Sequence, residues 1–105
     1  MLFRSDLNVS ATSPPVVWNK VSTEGHDVFV ENDILYDFHG ADGTFIYDVT
    51  NRSNPVLLGQ VTDPDIIYHH SGCTSADENY LFIADEFALH PRPDITVWEI
   101  GRAHV

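Results

Sequence analysis

The stretch "TFIYDVTNRSNPVLLGQV" (Thr44 to Val61) decides how the chain is read. It holds two short apolar runs, "TFIYDV" and "VLLGQV", joined by the polar turn "TNRSNP" (Thr50 to Pro55). Runs of this length, bounded by Gly, Asp, Asn and Pro, are the pattern of two strands and their connection. An earlier stretch beginning at Leu2, "LFRSDLNVSATSPPVVWNKV", echoes it: Phe3 matches Phe45 and Asp6 matches Asp48. After a two-residue difference in the turn, Pro15, Val17 and Val21 match Pro55, Leu57 and Val61.

Working outward, "HDVFVENDILYDFHGADGTFIYDV" (His26 to Val49) has a partner in "HSGCTSADENYLFIADEFALHPRPDITVWEI" (His70 to Ile100). Ile34-Leu35 pairs with Tyr80-Leu81, and Ile46-Tyr47-Asp48 with Val97-Trp98-Glu99. A unit recurring every roughly 40 to 50 residues is the period of a propeller blade or a solenoid array. "HDVFVE" and "DILYDFH" also read as strands, with Glu31-Asn32-Asp33 and Gly40 to Gly43 as hairpin turns. No stretch has sustained helical periodicity, and "SADENY" (Ser75 to Tyr80) offers one helical turn at most.

The pattern predicts an all-β chain, a β-propeller fragment of four-stranded antiparallel blades. Residues 2–21 are expected to be the outer half of one blade, 26–61 a full blade, and 67–98 three strands of the next. Residues 1–99 would then be a partial propeller. A blade buries its faces against its neighbours, so the remaining blades of the parent chain are expected partners. The last six residues, 100–105, are expected to be foreign: "EIGRAHV" back-translates into a string that resembles the start of a common short-read sequencing adapter.

Composition narrows the partners. The chain has 105 residues, enough for one small domain, and its 43% apolar content is that of a globular protein. Sixteen acids against five Lys/Arg give a net charge of −11, which argues against nucleic acid, since a phosphate backbone must be met by positive charge. No apolar run approaches the ~18 residues of a membrane span. The partner left open is an unknown protein or small-molecule ligand. The single Cys73 permits no internal disulfide, and MLFRSDLNVS lacks the apolar centre of a signal peptide.

"GADGTFIYDVTNRSNPVLLGQV" resembles the LVIVD repeat, a bacterial propeller-type unit. "YHHSGCTSADENYLFIADE" resembles the signature of choice-of-anchor B family proteins, which contain such repeats. The resemblance covers most of residues 26–98. It departs at Cys73, where the family shows an aromatic, and in the proline-bearing loop 87–94. It implies an extracellular or cell-surface location on a bacterium, and says little about chemistry.

Histidine placement supplies the candidate site. Antiparallel pairing brings the start of the strand at His26 and the end of its neighbour at His39 to one rim. The next unit adds His70, Asp85 and Glu86 to the same rim. Imidazole and carboxylate together suit one divalent transition metal, so His26, His70, Glu86, His39 and Asp27 are the candidate ligands. The alternative for each is a hydrogen-bonded rim residue. His69 and His70 cannot both face the channel if the strand alternates; His70, which aligns with His26, is the ligand candidate and His69 packs between units.

Other residues have structural readings. His90 is expected to be solvated, and His104 falls in the foreign tail. Ser71 beside His70 lacks a third triad member, and nothing basic flanks Cys73 to lower its pKa. Asp48 and Asp6 are expected to cap turns. "ADG" (Ala41 to Gly43) is too short for a helix-loop-helix calcium loop, and the sequons at Asn8 and Asn51 are weak signals. Two functions follow. The first is an extracellular binding or surface scaffold module with no catalysis of its own. The second is part of a metal-dependent enzyme centred on the rim histidines.

Overall fold

The computed structural model describes residues 13–88 and 91–101, and these contain strands and no helix. Seven strands run in chain order: β1 (Asp27–Glu31), β2 (Ile34–Phe38), β3 (Thr44–Asp48), β4 (Val56–Val61), β5 (His69–Thr74), β6 (Tyr80–Asp85) and β7 (Ile95–Glu99). The first four form one antiparallel sheet in the order β1-β2-β3-β4, and the last three form a second, β5-β6-β7. Within each sheet every strand pairs with its sequence neighbour, as antiparallel hairpin connections allow. In the first hairpin Asn32 and Asp33 both take positive φ, 49° and 66°. A two-residue turn needs this to match the strand twist, and Asn and Asp tolerate it better than most side chains. Asp48 accepts the backbone and side-chain donors of Thr50 at 2.9 and 2.7 Å, the turn-capping role expected of it.

Strand alternation builds the core. Ile34, Tyr36 and Phe38 on β2, with Ile46 on β3, form one buried face; Leu81 and Ile83 on β6 meet it from the second sheet. Leu81 is fully buried, a side chain whose burial stabilises by about 1.5–3 kcal/mol. The burial of Tyr36 pushes its phenol up to about 12, with the charges of Glu78 and Glu31 adding to the effect, so it packs as a neutral ring. Gly72 lets the sheets meet: a Cβ there would stand 2.1 Å from the Phe82 carbonyl oxygen and 2.7 Å from the Phe38 ring.

The two sheets repeat one another in register. Tyr36 faces Ile46 in the first, and Phe82 faces Val97 in the second; Ile34 faces Asp48, and Tyr80 faces Glu99. The sequence matches of Ile34-Leu35 with Tyr80-Leu81, and of Ile46 to Asp48 with Val97 to Glu99, are therefore matches of position. One consequence is that Phe82, Tyr80 and Val97 occupy the places of the buried Tyr36, Ile34 and Ile46. Tyr80 and Val97 are exposed.

Residues 13–21 differ from the expected half blade, of which residues 2–12 lie outside the described residues. The described part carries no strand. Pro14 and Pro15 have no N–H to give a ladder, and side chains attach this segment instead. Trp18 packs on Tyr47 with ring centroids 5.8 Å apart, and Lys20 pairs with Asp37 at 2.7 Å while lying 3.6 Å over the Phe45 ring. At the other end, Ile100 packs against the core, and the N–H groups of Ile100 and Gly101 donate to the Asn79 carbonyl at 2.9 and 3.0 Å. Residues 102–105, including His104, and also Leu89 and His90, lie outside the described residues.

Candidate functional site

The rim between the sheets is fixed by a short bridge. Gly40 and His69 exchange backbone hydrogen bonds, Gly40 N–H to the His69 carbonyl at 3.1 Å and His69 N–H to the Gly40 carbonyl at 2.9 Å. Gly40 has φ 60°, and the Tyr68 ring lies so close that a Cβ would be 2.8 Å from it. Only glycine meets both demands without strain. The carboxylate of Asp85 accepts from the backbone N–H groups of Ile67, Tyr68 and Phe87 at 2.7, 3.0 and 3.0 Å. Asp85, expected near the rim, thus orders the backbone just before β5, which carries His70, and just after β6, where Glu86 lies.

β5 carries a bulge at this point. His69 is opposite Asp85 and Ser71 is opposite Ala84, so His70 is the extra residue. A bulge breaks the alternation of side chains and re-aims one of them. His69 turns inward, 2% exposed, with Nδ1 2.7 Å from Thr44 Oγ1. Burial holds its imidazole below the usual histidine range, against the opposing charges of Asp85 and Asp63. His70 turns to the rim.

There it meets His26, which precedes β1 and extends the ladder by donating its N–H to Phe38 at 3.0 Å. The two imidazole centroids are 4.3 Å apart at an interplanar angle of 49°. His26 Nδ1 lies 2.9 Å from the His70 carbonyl oxygen. A carbonyl only accepts, so Nδ1 carries the proton and the neutral ring keeps its lone pair on Nε2. Glu86 Oε2 stands 3.6 Å from His26 Nε2 and 3.2 Å from His70 Nδ1. His70 Nδ1 is itself buried and makes no hydrogen bond, because the carboxylate oxygen is close but out of line. The three side chains are about one-third exposed. Tyr68 walls one side, edge-on to His26 at 5.5 Å, and Phe87 packs on Tyr68 at 4.9 Å.

Of the five candidate ligands the structure brings together His26, His70 and Glu86, each offering a donor atom within 4.8 Å of the others. His39 and Asp27 are corrections. Alternation puts His39 on the same face as Asp37, away from the second sheet. It is 5% exposed, and both of its ring nitrogens are engaged. Nδ1 meets the Asp37 carboxylate at 3.0 and 3.1 Å, and Nε2 meets Ser22 Oγ at 2.8 Å and the Thr23 carbonyl at 2.9 Å. No lone pair remains for a ligand. The Asp27 carboxylate accepts the N–H of Val28 at 2.9 Å and is not part of the three-residue group.

The sequence reading missed the cluster that holds the 18–23 segment in place. Lys20, Asp37, His39 and Thr23 line a cavity of about 240 Å³ whose apolar wall is Trp18, Val28, Leu35 and Tyr47. Burial disfavours the Lys20 ammonium, but its hydrogen bonds and charge interactions with Asp37 and Tyr47 outweigh that and raise its pKa. An acid in the middle of the apolar "ILYDF" was the available signal, since a mid-strand Asp needs a partner.

No protein-family model, curated protein or solved structure matches this chain. The resemblance to LVIVD-repeat proteins therefore rests on the quoted motifs alone.

Proposed function

We propose that the two sheets are neighbouring blades of a β-propeller of the LVIVD-repeat kind, displayed at a bacterial cell surface. In this reading the chain is a binding or scaffold module whose ligand site is the rim formed by His26, His70 and Glu86. One observation carries it: two sheets that repeat in register bring His26, just before the first strand of one, and His70, at the bulge that opens the other, to one point. A repeat that stacks brings equivalent side chains together without a dedicated loop. The acidic charge and the apolar residues exposed on the second sheet fit a module that is extended by further sheets.

Two measurements test this. Nuclear Overhauser contacts between the ring protons of His26 and His70 should be present in the chain in solution; their absence removes the shared rim. Proteinase K applied to intact cells carrying the native gene should release peptides of this module while a cytoplasmic control stays whole. Peptides released only after lysis would remove the surface location.

A further inference from the structure

We propose that the rim binds one divalent transition-metal ion through His26 Nε2, His70 Nδ1 and Glu86 Oε2, and this rests on the shared-rim reading above. The spacing fits. A tetrahedral ion with bonds of roughly 2.0–2.1 Å has ligand atoms about 3.3 Å apart. The carboxylate oxygen lies 3.2 Å from one imidazole nitrogen and 3.6 Å from the other.

The protons are placed to suit a cation. His26 donates from Nδ1 to a backbone carbonyl, which fixes the ring and leaves Nε2 as a ligand, the usual outer-sphere support of a metal-bound histidine. The carbonyl belongs to His70, so one ligand's backbone orients the other's ring. His70 Nδ1 is buried without a hydrogen bond, a position that costs free energy unless something binds there. A cation between the three atoms would satisfy it.

Donor chemistry selects the ion. Two imidazoles and one carboxylate suit zinc, cobalt, nickel or copper in their divalent states; calcium and magnesium require mostly oxygen. Three protein ligands leave a fourth position for water or an exogenous anion, and the partial exposure of all three side chains keeps that position accessible. This is the arrangement that a metal-dependent activity would need. The ion would also join the sheets, since His26 precedes β1 in one, while His70 is on β5 and Glu86 directly follows β6 of the other.

The test is titration of the 105-residue chain with zinc chloride by calorimetry, and with cobalt(II) followed by visible absorption. The expected result is one ion per chain, with a cobalt spectrum of four- or five-coordinate intensity. Excess magnesium or calcium should leave it unchanged. His26→Ala and His70→Ala should each weaken binding by more than the ~10–100-fold that loss of an outer-sphere partner costs. Glu86→Gln, which preserves the shape of the side chain, should also weaken it, so the result does not hang on a variant that misfolds. Binding that survives the double change His26→Ala with His70→Ala would overturn the proposal by placing the ion elsewhere. Absence of binding with the His26–His70 Overhauser contacts intact would overturn the ion and leave the rim. Absence of both would remove the rim itself.

Discussion

His26 Nδ1 donates to the backbone carbonyl of His70 across 2.9 Å, linking the start of one sheet to the bulge of the other. The bond sets the tautomer of His26. Long-range proton–nitrogen NMR at about pH 8, above the usual histidine range, should show His26 protonated on Nδ1. A signal from an Nε2-protonated ring would break the link between the two histidines.

Gly72 of β5 lies against the Phe38 ring of the first sheet. In Gly72→Ala the new methyl would meet the Phe82 carbonyl, a backbone atom that cannot swing aside, as well as the Phe38 ring. The expected loss is at the upper end of the ~1–3 kcal/mol typical of overpacking, or beyond it. Urea denaturation followed by tryptophan fluorescence would measure it. A midpoint unchanged from the parent would show that the sheets do not pack as described.

Gly40→Ala tests the bridge that places the rim. Its positive φ and the Tyr68 ring both oppose a Cβ, so the Gly40–His69 pair should loosen and Tyr68 should move off its neighbour. The substitution touches none of the three rim side chains, yet the His26–His70 ring contacts should weaken. If they persist at full intensity, the bridge is not what positions His70.

His69 should make stability depend on pH. Burial lowers its folded pKa below the ordinary 6.5, so in acid the unfolded chain takes up a proton that the folded chain resists. Its contribution is therefore complete above about pH 6.5 and is lost as pH falls from there through the depressed folded value. His69→Gln should flatten that part of the profile. Denaturation midpoints collected between pH 5 and pH 8 for both chains would check it, and parallel profiles would refute it.

Ile95, Val97 and Tyr80 are exposed on the second sheet, where the first sheet buries its equivalent residues. The chain should associate with rising concentration in sedimentation velocity, and Val97→Lys should reduce this by placing a charge in the apolar face. A wild-type chain that stays monomeric through the high-micromolar range would count against the repeat being built to stack.

The sequence determined the strands and their order, because apolar runs of five or six residues between turn formers have few other solutions. It also determined the equivalence of the two units: "TFIYD" and "ITVWE" stand in the same places, and the ladders pair them at the same step. His70 as the partner of His26 was legible from that repeat. Tertiary structure decided the rest. The repeat picked His70 for the rim, but the bulge that turns His69 inward beside it is held by the Gly40–His69 bridge and the contact with Thr44. His39 was set aside by contacts with Ser22 and Thr23, 17 and 16 residues earlier in the chain, which no local pattern announces. Glu86 gained its place because Asp85 orders the backbone on either side of the rim. Local sequence fixes which way a side chain alternates, but only the packing of distant segments decides which of its atoms are left free to bind.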